Sequence, residues 1–184
     1  MDAPYSPQEI PTLRDIDHVR GPLSAVLLMF IYGNYQCPHC AQANETVDKL
    51  RKTLGEQFCY VFRHFPTTDL YSQSYRTAEA AEAAEAQGQF WAMHDKLFAN
   101  QDDLDDASLV EYASELGLEI GQFLKELGYH THAARIQSDI DSALDYGVKE
   151  APTFFISVRH TGSRNLETLV QQILTATLEN KPRD

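Results

Sequence analysis

The sequence predicts an α/β protein: a strand–helix–strand unit, a long helical block, then a return to strand near the C-terminus. Two short apolar runs, "AVLLMFIY" (25–32) and "QFCYVFRHFP" (57–66), flank a stretch with helical spacing. Residues 67–147 read as almost entirely helical. Strand character reappears at "APTFFISV" (151–158), and a helix is expected to close the chain.

Each element has a local reason. Residues 1–21 form an extended lead-in punctuated by Pro4, Pro7, Pro11 and the Gly21-Pro22 turn signal. Leu23 to Tyr32 is a continuous apolar run, as expected of a strand buried on both faces, and Gly33 and Asn34 break it. Pro38 suits a first helical position, where its missing N–H costs nothing. Val47, Leu50 and Leu54 continue the helical spacing to a stop at Gly55. The second run, 57–66, ends at Pro66, and a strand–helix–strand unit of this length makes its strands parallel. In the block that follows, "SYRTAEAAEAAEAQG" reads as a solvated helix with one small-residue packing face. "FWAMHDKLFANQ" has an apolar face, and "DDASLVEYASELG" has an Asp available as N-cap and Gly117 beyond its end. "EIGQFLKELG" and "THAARIQSDIDSALDYG" repeat the device with Gly128 and Gly147. After a turn at Gly162, an amphipathic helix is expected over Leu166 to Leu178.

Composition narrows the function. A chain of 184 residues can bury one sizeable core. A formal net charge of −12 argues against nucleic acid or anionic membrane as the main partner, because phosphates would repel it. No stretch approaches the roughly 20 apolar residues that span a bilayer, so no membrane insertion is expected. The polar, Pro-rich, acidic N-terminus has no basic region followed by an apolar one. The expected location is cytoplasmic, or periplasmic where a leader has been removed. Three cysteines are too sparse for a disulfide scaffold.

Two of those cysteines, Cys37 and Cys40, sit two residues apart where the first strand meets the first helix. As a structural staple the pair closes a very small loop and constrains the unfolded chain little. As a metal site it supplies two of the four ligands that closed zinc needs. Cys59 stands between Phe58 and Tyr60 and reads as a buried apolar thiol, while His39 and His64 could complete a site only through tertiary placement or a second chain. The redox reading explains more. A Cys at a helix N-terminus meets unsatisfied N–H groups and the positive end of the helix dipole, both of which favour thiolate. Cys37 is expected as the exposed attacking member and Cys40, one turn on, as the less exposed resolving one. Pro38 and His39 between them tune the pair. Pro152, at the entrance to the last strand, stands where a sheet tolerates proline.

With these motifs in place, the chain resembles the DsbA family of thioredoxin-fold proteins. The matching stretches are "HVRGP" (18–22), "YGNYQCPHC" (32–40), "FRHFP" (62–66), "AAEAAEAQGQFWAMHDKLFANQ" (80–101) and "APTFFI" (151–156), in order over nearly the whole chain. The resemblance implies a thioredoxin fold (1–66 and 148–184) with an inserted all-helical domain (67–147). It also implies that Pro152 is cis and faces the Cys37 sulfur, with neighbouring backbone that holds an extended substrate. Two positions depart from the family. Ile31, six residues before Cys37, stands where the family usually has a buried acidic residue that moves a proton for the resolving thiol. Ala151 stands where Thr or Val commonly precedes the cis-proline. The implied activity is thiol–disulfide exchange with protein or small-thiol substrates through Cys37 and Cys40, with no cofactor and an unidentified redox partner. A glutathione-linked reductase or isomerase is the other redox reading. A peptide-binding module with inert cysteines is the reading from a different class.

Overall fold

A computed structural model describes residues 10–67 and 69–158. The elements are β1 (His18–Arg20), β2 (Leu27–Gly33), α1 (Pro38–Leu54), β3 (Phe58–His64), α2 (Ser74–Glu85), α3 (Phe90–Ala99), α4 (Asp106–Glu115), α5 (Ile120–Gly128), α6 (Ala133–Asp145) and β4 (Thr153–Val158). The turn at Gly162 and the helix expected over Leu166 to Leu178 lie outside the described residues.

The sheet order is β1-β3-β2-β4. β2 and β3 pair in parallel, from Leu27 opposite Phe58 to Gly33 opposite His64. β4 lies antiparallel on the other side of β2, with Ile31 opposite Phe154. The lead-in is not wholly irregular: His18–Arg20 pairs antiparallel with β3, a strand too short to register as periodicity. β2 also begins later than the apolar run and keeps Gly33. A Cβ there would come within 2.5 Å of the Phe62 ring, so the position needs glycine without ending the strand.

Alternation along β2 explains the two cores. Leu27, Met29 and Ile31 join a cluster with Val47, Leu50 and Leu54 of α1, while Phe30 and Tyr32 join Val61, Phe65, Ala143 and Phe155 on the opposite face. Helices thus cover both faces, as a strand of continuous apolar residues requires.

The Ala/Glu helix departs from its expectation. α2 is not solvated: Ala78, Ala80, Ala81, Ala83 and Ala84 are buried, and so are Glu79 and Glu82. Small side chains let α3 and α5 pack closely against it, and both carboxylates find partners. Glu79 pairs with His130 at 2.7 Å and Glu82 with His18 and His64. Helix ends mostly follow the local signals. Asp105 accepts from the N–H groups of Ala107 and Ser108, and Gly117 and Gly147 take left-handed backbone just past their helices. Gly128 does not; it stays within α5, and the positive φ falls on His130.

Candidate active site

The turn between β2 and α1 is organised by Asn34, which is buried. Its Oδ1 accepts from Gln36 N at 3.0 Å and its carbonyl from Cys37 N at 3.2 Å, the local bonding to which asparagine is suited. Its own N–H donates to the Cys40 sulfur at 3.4 Å. Cys37 is the N-cap residue of α1, in extended backbone, and Pro38 opens the helix. The Cys37 carbonyl accepts from Cys40 N and Ala41 N at 3.0 and 3.2 Å. Its side chain takes no capping hydrogen bond, so the helix terminus acts on the sulfur through its dipole and not by direct N–H contact.

Both cysteines are free thiols. The expected contrast in exposure is absent: Cys37 is 3% exposed and Cys40 2%. Tertiary neighbours cover Cys37. Its S–H donates to the Ala151 carbonyl at 3.5 Å, and the Ala151–Pro152 bond is cis. Tyr71 packs against the apolar cluster that contains both cysteines. Burial pushes the Cys40 thiol far above the usual thiol range, against the Asn34 N–H, and charge on Cys37 adds to the rise. Ile31 is buried in the same apolar cluster as both cysteines.

Support for the turn comes from the helical block. Gln101 donates through Nε2 to the carbonyls of Tyr35 and Cys37, at 2.6 and 3.0 Å. The Tyr35 hydroxyl meets His94 Nδ1 at 3.0 Å, and His94 Nε2 meets Asn44 Oδ1 at 3.2 Å. Burial, reinforced by Arg20, pushes the His94 pKa well below its ordinary value. A neutral His94 then donates from Nε2 to Asn44 and accepts from Tyr35. His39 is exposed on α1 and, with Pro152, Val47, Leu50, Phe154 and Ile156, lines an apolar groove of about 490 Å³.

The structure therefore brings Cys37, Cys40, Ala151 and Pro152 together around one sulfur. Ile31 lies in the core beneath, with Pro38 and His39 on the outer rim. Tyr71, Gln101 and Asn34 were not singled out as site residues in the sequence. Asn34 alone had a local signal, an asparagine between strand end and cysteine pair. Tyr71 and Gln101 reach the site from 31 or more positions away.

Cys59 is buried, as expected, and donates its S–H to the Gly21 carbonyl. Among the described residues, one other group has donor types that suit a metal: His18, His64 and Glu82. Each histidine Nε2 lies 2.7–2.8 Å from Glu82 Oε1. His64 Nδ1 is buried with no partner among the described residues. Arg135 Nε also lies 3.9 Å from the carboxylate. As they stand, the residues form two imidazole N–H donors converging on one carboxylate.

Residues 14–174 match the family described as Thioredoxin, and the chain belongs to that family. The B. subtilis protein BdbD, in its oxidised crystal structure, has a TM-score of 0.74 at 19% identity, covering 92% of this chain and 96% of that one. A thioredoxin-like oxidoreductase from Silicibacter pomeroyi has a TM-score of 0.70 at 22% identity, covering 90% and 94%. These likenesses show a shared DsbA-like fold. In sequence, the chain is 41% identical over 168 residues to the Na(+)/H(+) antiporter NhaA 3 of Salinispora tropica, covering 91% of this chain and 26% of the antiporter. The chain thus spans about a quarter of the length of the curated relatives it matches. Among the described residues, no helix is long and apolar enough to cross a membrane.

Proposed function

We propose that the protein catalyses thiol–disulfide exchange with protein thiols through Cys37 and Cys40. The observation that carries the reading is the setting of one sulfur. Cys37 caps a helix N-terminus, with Cys40 one turn behind it and the carbonyl before cis-Pro152 at 3.5 Å. A substrate thiolate attacks Cys37 in the disulfide form, and Cys40 leaves and takes a proton, as its burial favours. The apolar groove from Pro152 and His39 along α1 offers a face for an extended apolar segment of the substrate. Ala151 presents its carbonyl there without side-chain bulk, which relaxes selectivity at the position beside the substrate sulfur. The reading concerns the redox pair and does not extend to the ion exchange named for the antiporter relatives.

Reduction of insulin in the presence of a small dithiol, and oxidation of a dithiol peptide, test it. Both should be lost in Cys37→Ser. Peptide binding that survives Cys37→Ser, in a wild type with no exchange activity, would favour a binding module with inert cysteines.

A further inference from the structure

His18, Glu82 and His64 arrive from three elements, β1, α2 and β3, and converge on one point. One donor atom from each lies within 4.8 Å of the other two. All three residues are buried, at 7%, 4% and 0% exposed. Aromatic rings enclose the point. The His18 ring stacks on Phe90 with centroids 3.4 Å apart, and His64 meets Phe62, Tyr35 and Phe90 edge-on at 5.4–5.9 Å. Such a shell limits access of water and lowers the local dielectric, which strengthens the hold of ligands on a cation.

On the other side, His18 and Glu82 line a cavity of about 360 Å³ that Asp15, Asp17, Glu85 and Arg135 also line. Asp17 is paired with Arg14 and Arg63, and Arg135 with Asp139 at 2.6 Å. The exposed Asp15 and Glu85 therefore set the charge of the opening, and it favours a cation.

We propose that His18, His64 and Glu82 form a binding site for one divalent transition cation, with zinc as the representative ion. Two imidazole nitrogens and one carboxylate suit zinc, whereas magnesium and calcium favour sets made of oxygen. The cavity leaves a fourth position for water. Around zinc, with bonds of about 2.0–2.1 Å, neighbouring ligand atoms in a tetrahedron stand about 3.3 Å apart. The two contacts to Glu82 Oε1, at 2.7 and 2.8 Å, are the metal-free arrangement, and a small rotation of the Glu82 side chain opens them. A cation there joins β1, β3 and α2 at the end of the sheet that carries the redox turn. His64 pairs with Gly33, and Phe65 N donates to the Gly33 carbonyl at 2.8 Å, one residue before Asn34. The site uses neither Cys37 nor Cys40 and stands independently of the exchange reading.

The test uses the full chain with Cys37 and Cys40 oxidised to their disulfide, which keeps those thiols from binding metal. Stripped of metal, it should take up one Zn²⁺ per chain in competition with a chromophoric chelator at neutral pH. Its thermal midpoint should rise with zinc concentration. Co²⁺ in place of zinc should give the visible bands of a four-coordinate site of nitrogen and oxygen ligands, without thiolate charge transfer. His18→Gln and His64→Gln each keep an N–H donor for Glu82 and remove the ligating nitrogen. Each should weaken zinc by about 100-fold or more, with circular dichroism and the zinc-free midpoint confirming that the variant folds. A wild type that takes up no zinc overturns the assignment, as does unchanged affinity in either folded variant. Displacement of zinc by equimolar Ca²⁺ or Mg²⁺ would place the ion among the cavity carboxylates and also overturn it. Should neither variant fold, the cobalt spectrum of the wild type decides: six-coordinate or thiolate bands refute the site.

Discussion

Replacing Ile31 by glutamate puts a carboxyl into the cluster that holds both cysteines, where the described structure offers Cys40 no acidic or basic side chain as a hydrogen-bond partner. At pH 7 an unperturbed thiol is about 3% thiolate, and each unit of upward shift divides that fraction by ten. Greater nucleophilicity of the more basic sulfur returns about a factor of three per unit, so each unit costs about threefold in rate. Burial pushes Cys40 far up that scale, so mixed disulfides on Cys37 should persist in the wild type. A positioned base typically returns 10²-fold or more. Ile31→Glu should therefore shorten the lifetime of a mixed disulfide with a model thiol by about 10²-fold near pH 7. Any ionised carboxylate there would also disfavour a neighbouring thiolate, making the couple more reducing by about 30 mV per tenfold change. Ile31 is 4% exposed, so the substitution should cost about 3–5 kcal/mol from lost apolar burial and a buried carboxyl. Ile31→Gln carries nearly the same cost without an exchangeable carboxyl proton. Mixed-disulfide lifetimes measured by quenched mass spectrometry across pH 6–9 decide the matter. Equal lifetimes in Ile31→Glu and Ile31→Gln would refute the relay argument.

The remaining expectations concern the supports of the site. Gln101→Ala leaves two carbonyls of the turn without their shared donor and should cost about 1–2 kcal/mol in urea denaturation, with a several-fold slower exchange. Gln101→Glu, which sets an acceptor against those carbonyls, should be worse than alanine on both measures. Arg63→Met removes two hydrogen bonds to the buried Asp17 carboxylate, which keeps Arg14 as its ion partner, and should cost about 1.5–3 kcal/mol; a double-mutant cycle with Asp17→Asn should isolate the pair's share. Glu82 is opposed by burial, but hydrogen bonds from His18 and His64 outweigh this and hold its carboxyl well below the usual range. A lowered folded pKa contributes stability that is complete above the unfolded value of about 4.3 and lost as pH falls through the folded one. Glu82→Gln should accordingly be destabilised by about 2–4 kcal/mol at pH 7, with the difference narrowing below about pH 4; a constant difference down to pH 2.5 would contradict this origin.

The sequence by itself determined the elements whose causes are local. The cysteine pair at a strand-to-helix junction, Pro38 as first helical residue, the parallel β2–β3 pairing and the Asp105 cap all follow from periodicity, backbone restriction or short-range hydrogen bonding. The DsbA resemblance added the cis-proline opposite the pair, which no spacing reveals. Tertiary structure decided the rest, because burial and electrostatics depend on which distant residues arrive. The Ala/Glu helix looked solvated because its pattern records side-chain size and not what surrounds it; His18, His64 and His130, from other elements, make Glu79 and Glu82 tolerable inside. Cys37 looked exposed because its cover comes from residues distant in sequence, among them Ala151, 114 residues on. Gln101 reaches the turn across 64 residues from Cys37. Helix and strand periods are properties of one segment, whereas the surroundings of a sulfur are shared among segments that only the packed fold brings together.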